Sequence, residues 1–330
     1  MICAIGNTMI GENEGFIKYL LENGAEIFPI CLDRKDHHGI TIEFNPGIAI
    51  VDDSILVSLR SSDYMLWQSY NHDITLGDKF FGYFCDDIIH SWLYMYKLNE
   101  NDAHDNEFQL VDIDDSRNFT IFRGIEDCRL VVWDNKTYAC GTSREGNDGW
   151  EARIHMIELD TSDSNKIVEA NHYVIPVKDE KSCEKNWMPI NDKPFTWIRW
   201  TNPMEIIEYD IKTGKSSTTR KDVDTRYRTD LKGSSNLIKV DGYYYAFVHS
   251  TDLFEFFGSW HRKYLSCLVK FDNDLNIVAQ SKPLEFDQNF LIHFVCGMAY
   301  DGKNAYISYS IDDSIPYIVK APIGLLTRLV

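Results

Sequence analysis

Apolar and polar residues alternate over short runs along most of the chain, and the runs are bounded by Asp, Asn and Gly. A period of two marks a half-buried strand, and the bounding residues are those that tight turns require. Helical spacing is rare. Residues 13–23, NEGFIKYLLEN, place apolar side chains three and four positions apart and stop at Gly24, which predicts one short amphipathic helix. Residues 86–98, DDIIHSWLYMYKL, fit a helix or a strand equally well.

The strand pattern repeats as a unit. Residues 45–60, 126–143, 234–250 and 296–310 each open on polar or small residues. A short apolar strand, a turn such as Asp134-Asn135 or Asp241-Gly242, and a second strand then follow. Residues 185–200, KNWMPINDKPFTWIRW, repeat the plan less cleanly. The units begin roughly 50–80 residues apart, a spacing suited to the blades of a propeller. The expected fold is therefore all-β, a five-bladed β-propeller with a few short helices. A large β-sandwich would also produce many short strands, but the polar opening of each unit favours strands that converge on an axis. No Pro-, Gly- or Ser-rich linker divides the chain. Residues 1–330 are read as a single domain, with residues 1–40 an N-terminal segment that the repeat does not place.

Composition narrows the function. Of 330 residues, 44% are hydrophobic and 13% aromatic, enough to build a sizeable core. No run of apolar residues is long enough for a membrane-spanning helix, and the opening MICAIGNTMIGENEGF lacks the basic start of a secretory signal. Eight scattered cysteines without a CxxC pair fit the reduced thiols of a cytoplasmic protein better than a disulfide frame or a zinc site. A net charge of −18 excludes nucleic acid as a partner, because a phosphate backbone requires a basic stripe. A small anion can still be held, provided Arg, Lys and His gather locally against the overall field.

The polar openings supply candidates for such a site. They contain Asn45 and Arg60; Glu126, Asp127 and Arg129; Lys185 and Asn186; Ser234, Ser235 and His249; and Asp312 with Asp313. Singly, each has an ordinary structural reading. Asp127 could stabilise a turn with Arg129 as its ion-pair partner, His249 could be a core histidine, and Lys185 could be solvated. Their recurrence at the same place in successive units groups them.

At these residues the sequence resembles glycoside hydrolase family 130. GIEDCRL resembles that family's G-x-E-D-P-R motif and EKNWMP its K-N-W segment. GSSNLIKVDGYYYAFVH resembles its Gly/Ser-rich strand ending in histidine, and ISYSIDD its closing Y-G-x-x-D. The resemblance runs from FNPGIAI and VSLR near residue 45 to residue 313, and leaves residues 1–40 and 61–120 unplaced. Cys128 stands where the family has proline, Ser234 where a second glycine is common, and Ser310 in place of a glycine, the last bearing on the shape of the sugar pocket.

The family consists of five-bladed propellers acting on β-mannosides, mostly as phosphorylases and in some branches as hydrolases. The resemblance implies that Asp127 is the general acid, its proton reaching the glycosidic oxygen through a hydroxyl of the bound mannose. Such a carboxyl needs a raised pKa. Asn45, Arg60, Glu126, Arg129, Asn186, Ser235 and Asp313 form the expected sugar-binding set. Within it Arg60 could instead approach the incoming group, and Glu126 is mainly a support. Arg144, Arg153, Lys185 and His249 form the expected phosphate cradle, since an anion is fixed by cationic donors. Tyr64, Trp67 or Trp187 could stack on a sugar, against a core role for each.

The expected activity is that of an inverting β-mannoside phosphorylase releasing mannose 1-phosphate, with inorganic phosphate as co-substrate and neither organic cofactor nor metal. A hydrolase would lack part of the cradle and present a second carboxylate to water. A glycosyltransferase would need a nucleotide pocket; no GxGxxG or P-loop is present, and Asp112-Ile113-Asp114 lies in a very acidic loop. An inactive glycan-binding propeller is the remaining alternative. Expected partners are β-mannosides or other oligosaccharides and phosphate, with no membrane; a homo-oligomer is compatible with the sequence.

Overall fold

The computed structural model describes residues 15–30, 41–65, 82–83, 89–98, 108–113, 122–144, 151–163, 166–178, 183–256, 259–287 and 289–330. Most of these lie in strands, and the two helices are short, Phe16–Glu22 and Ile323–Thr327. The all-β expectation holds, as does the helix at 16–22 within the amphipathic stretch. Residues 89–97 form a strand, which resolves the ambiguity at 86–98. Trp92 pairs with Ser61 and Tyr94 with Leu59 on the neighbouring strand, so tertiary pairing decides where local periodicity does not.

The strands form five mainly antiparallel units of four or five strands. The first comprises Ile42–Val51, Ser54–Ser62, Ile89–Lys97 and Gln109–Asp112. The second comprises Glu126–Trp133, Lys136–Ser143, Arg153–Asp163 and Lys166–Val174. Their outer strands pair in parallel through Val111 and Ile167, which merges the two units into one sheet. Met188–Pro189, Thr196–Thr201, Met204–Asp210 and Lys215–Arg220 make the third. In the fourth, Lys232–Gly233 and Ile238–Val240 both pair with Tyr243–Phe256, followed by Ser259–Phe271 and Ile277–Gln280. The fifth takes His293–Tyr300, Asn304–Ile311 and Ile315–Pro322 from the end of the chain and Glu26–Pro29 from near its beginning.

Five hydrophobic clusters fill the spaces between consecutive units. Leu93 and Met95 of the first meet Leu130 and Ile157 of the second. Trp133 and Met156 meet Trp197 of the third; Ile198 meets Val248 and Cys267 of the fourth; Phe247 meets Val295 and Ile307 of the fifth. Ala299 and Ile318 of the fifth then pack on Ile48 and Val57 of the first. Apolar burial thus runs from unit to unit and returns to its start, without a separate second core among the described residues.

The first strands of the units approach one another closely where they begin. A Cβ built on Gly47 would lie 2.1 Å from the Cys128 carbonyl oxygen of the second unit, and one on Gly233 2.1 Å from the Asn186 carbonyl oxygen of the third. Only glycine fits there, because the obstacle is backbone. Gly47→Ala is expected to destabilise the protein by about 2–4 kcal/mol. Gly324→Ala, whose Cβ meets nothing within 4 Å, should leave stability near wild type. Midpoints of urea unfolding with unchanged slope would check both.

Candidate active site

Asn45, Asp127 and Asn186 stand at the openings of the first three units with φ of 50°, 53° and 61°. Asn and Asp tolerate this left-handed conformation through their short polar side chains. The pairing register shifts between Phe44 and Gly47 in the first unit and opposite Asp127 in the second. A bulge of this kind re-aims the side chain next to it. Asn45 and Asp127 consequently meet: the Asn45 Nδ2 donates to Asp127 Oδ1 at 2.9 Å.

Arg60 completes the group. Its Nη1 donates to Asp127 Oδ1 at 3.0 Å and its Nη2 lies 3.1 Å from Glu126 Oε1. Its Nε is held by the hydroxyls of Ser62 and Ser91, both at 3.1 Å, and the guanidinium lies over the Phe44 ring. The ion-pair partner of Asp127 is therefore Arg60, and the expected Asp127–Arg129 pairing is replaced. Arg129, 1% exposed, donates to the carbonyls of Asp127 and Ser234, both at 2.7 Å, and to Asn186 Oδ1 at 3.2 Å. Glu126 does support the site, through Arg60.

These contacts set the ionisation of the acids. Burial acts to raise the Asp127 pKa, but the charges of Arg60 and Arg129 and the bonds from Asn45 and Arg60 outweigh it and hold it below the usual range. The raised pKa expected of a general acid is found instead at Asp313, pushed up to about 6 by burial and by the negative charge of Asp127. Asn45 lies near enough to Asp313 to oppose that rise slightly. The Asn45 Oδ1 is buried without a partner among the described residues.

A cluster of cations lies beside the acids. Lys185, Lys232 and Arg129 all act on His249, and Arg262 acts on Lys232. His249 is buried, shares a 2.8 Å contact between its Nδ1 and Ser234 Oγ, and stacks on Tyr264 with centroids 5.4 Å apart. Burial, then the neighbouring cations, push its pKa down to about 3. His249 thus enters the cradle as a neutral hydrogen-bonding group. Tyr264 senses Asp313, Arg262 and Asp127, which connects the cluster to the acids.

The other expected residues divide. Ser235 turns inward, donating to the Asn236 carbonyl and accepting from Phe247 N, both at 2.9 Å. Arg153 pairs with Glu151 and donates to the Ala152 carbonyl, and Arg144 lines a recess with Arg123, between the first and second units. Trp187 is 3% exposed with its indole on Glu184, a core residue. Trp67 and the side chain of Tyr64 lie outside the described residues. Ser310 accepts the backbone N–H of Asn45 at 2.5 Å, and Cys128 is a buried free thiol. Lys232, Arg262, Tyr264 and Arg123 were not read from the sequence. Lys232, two residues before the expected Ser234, was the most accessible to that reading. No helix among the described residues is long and apolar enough to cross a membrane, and no group of metal-ligating side chains is found among them.

No protein-family model matches the chain, and no curated protein matches its sequence. Its fold does match solved structures. The β-1,2-mannobiose phosphorylase from Listeria innocua, in complex with β-1,2-mannobiose, superposes with a TM-score of 0.57 at 12% identity, over 92% of this chain and 99% of that one. The mannose phosphorylase MPT-4 from Leishmania mexicana, in complex with phosphate ion, gives 0.53 at 9% identity, over 95% and 94%. A structure from work on GH130 glycoside hydrolases that target β-1,2 mannosidic linkages in Candida mannan gives 0.54 at 13% identity, over 84% of each chain. The fold is that of the mannoside phosphorylases and hydrolases of this family.

A carboxyl raised from 3.8 to about 6 binds its proton more tightly folded than unfolded. Its contribution is most favourable below pH 4 and is lost as pH rises through 6. Asp313→Asn is therefore expected to stabilise the protein by about 1–2 kcal/mol at pH 8 and not at pH 4. Thermal melts of both proteins at the two pH values test this.

Proposed function

We propose that this chain is an inverting β-mannoside phosphorylase and that its five strand units are the blades of a propeller. The cyclic order of the five clusters supports the blade reading. The observation that carries the function is the link between the acids and the cations: Arg129 bonds the Asp127 and Ser234 carbonyls, Ser234 meets His249, and His249 stands opposite Lys232 on the paired strand. Inverting transfer needs a proton for the departing oxygen and a nucleophile on the opposite face of the sugar. A polyanionic nucleophile needs cationic donors to hold it.

In this reading Asp313 carries the proton in the free protein and Asp127 is the carboxylate that engages a sugar hydroxyl. The unpartnered Asn45 Oδ1 accepts a further hydroxyl. Phosphate sits against Lys185 and Lys232, with His249 and Tyr264 supplying uncharged hydrogen bonds. As the glycosidic C–O bond breaks, an oxygen of phosphate forms the new bond to the anomeric carbon. The departing oxygen takes a proton relayed through the hydroxyl on Asp127, and dihydrogen phosphate returns one to the carboxyl pair. The products are α-mannose 1-phosphate and the shortened sugar. A hydrolase would direct water to the same carbon; the lysines favour phosphate.

Manno-oligosaccharides should be turned over only when phosphate is present, with mannose 1-phosphate as product. Free mannose released at the same rate without phosphate would identify a hydrolase. Asp127→Asn should lower kcat by about 10²–10⁴-fold while leaving phosphate binding intact. Lys232→Met should raise the KM for phosphate by roughly tenfold or more with a smaller effect on kcat.

A further inference from the structure

Glu184 directly precedes Lys185 in the chain, but the proposed reaction gives neither it nor its partner Arg199 a task. Their side chains are 3% and 2% exposed. Arg199 Nη2 donates to Glu184 Oε1 at 2.5 Å and its Nε to Glu184 Oε2 at 3.1 Å. The Trp187 indole donates to the same Oε2, also at 3.1 Å. The remaining arginine nitrogen, Nη1, holds Glu205 Oε2 at 3.1 Å, and Glu205 Oε1 accepts from Arg220 Nε at 3.0 Å. Two acids and two guanidinium groups thus form a row from the exposed Arg220 to the segment that bears Lys185.

A bulge places Arg199. The register of Thr196–Thr201 against Met204–Asp210 shifts between Ile198 and Trp200, which re-aims the residue between them. Its planar fork then grips Glu184 through two nitrogens, a pairing that sets orientation as well as distance. The segment so held is irregular, for residues 184–187 belong to no strand. Glu184 N–H donates to the Ala152 carbonyl at 3.0 Å. Two residues on, Asn186 takes a left-handed turn, and its Oδ1 accepts from Arg129. Its carbonyl oxygen presses on Gly233, the residue after Lys232. Lys185 stands exposed between these two buried anchors, near enough to Lys232 and His249 for its charge to act on both.

Resting on the phosphorylase reading, we propose that Arg199 is a positioning residue for inorganic phosphate: by clamping Glu184 it fixes the backbone from which Lys185 reaches the anion. Arg199 itself touches no substrate. Lys185 is a compact charge on a flexible stem, so the place of its ammonium depends on how firmly the base of that stem is held. Lys185 and Lys232 repel each other when no anion lies between them. The anchors on either side of Lys185 keep the two cations together before phosphate arrives, and a preorganised pair binds more tightly than one that must be assembled.

The test is calorimetry of inorganic phosphate binding to wild type, Arg199→Met, Arg199→Lys, Lys185→Met and the double variant Arg199→Met/Lys185→Met, with thermal melts to confirm that each is folded. Arg199→Met should weaken phosphate binding by about fivefold or more. Arg199→Lys, keeping the charge without the fork, should show a smaller loss. The double variant should bind no more weakly than Lys185→Met, because Arg199 acts through that lysine. In turnover, Arg199→Met should raise the KM for phosphate and leave kcat and the KM for the sugar near wild type, a split that a merely structural role would not produce. Wild-type phosphate affinity in folded Arg199→Met or in Lys185→Met would overturn the proposal. So would losses that multiply in the double variant. If Arg199→Met does not fold, Arg199→Lys and its double variant with Lys185→Met make the same comparison. The expected binding pattern in a protein without phosphorolysis would sink the reaction and leave the positioning role standing, whereas a wild type that binds no phosphate would overturn both.

Discussion

The buried guanidinium of Arg129 holds the openings of four units in one arrangement. It donates to the Asp127 carbonyl in its own unit, to Asn186 in the third and to the Ser234 carbonyl in the fourth, and it lies over Phe294 in the fifth. A desolvated cation is tolerable only when its donors are satisfied, and Arg129 satisfies Nε, Nη1 and Nη2 on three different segments. A lysine could not, because its ammonium is a point donor without the planar fork. The acceptors must therefore stand where the fork reaches them, which fixes Asp127, Asn186 and Ser234 relative to one another. The first unit joins through the bond from Asn45 to Asp127.

With Arg129 committed to backbone and amide oxygens, Arg60 alone binds the acids directly. Glu126, Asp127 and Asp313 would carry three negative charges against two guanidinium charges. Asp127 is the best solvated by donors, so it keeps its charge. The surplus is relieved by a proton at Asp313, the member with the weakest cationic support. This is the usual outcome when carboxyls share a site: one is held ionised and the other raised. The lysine cluster nearby drives His249 the other way, to a neutral ring. Two opposite charges are thus kept apart within one site of a chain whose net charge is −18.

The repeat of polar openings in the sequence matches the five units, and Asn45, Asp127 and Asn186 stand at such openings, whereas Asp313 lies in the turn between the strands ending at Ile311 and beginning at Ile315. Their legibility has a physical basis: left-handed turns and bulges select Asn and Asp at fixed points before an apolar strand. What the sequence hid depends on pairing register. Arg262 and Tyr264 lie on the return strand of a long hairpin, where Thr251 faces Tyr264 and His249 faces Ser266. Nothing in their local pattern signals that they reach the site. Arg123 reads as a strand residue, and its position beside Ser91 comes from a parallel pairing between distant segments. The direction of the Asp127 shift was missed for a related reason: it depends on Arg60, 67 positions away in the sequence.

The departures from the family pattern can now be weighed as physics. Ser310 accepts the N–H of Asn45, and so helps to hold that residue in the left-handed conformation that aims its amide at Asp127. Cys128 fills an apolar space, and its carbonyl accepts a bond from Ser58 at 3.3 Å. Neither substitution removes a charged group from the site. Burying Arg60 beside the acids carries a desolvation cost that apolar replacements of buried ion pairs often avoid. Beside Arg60, one carboxyl is raised to about 6 next to another held ionised, which sets a proton-bearing acid against a proton-free one. That argues for catalysis over passive binding, and it does so from the energetics of the side chains rather than from the fold.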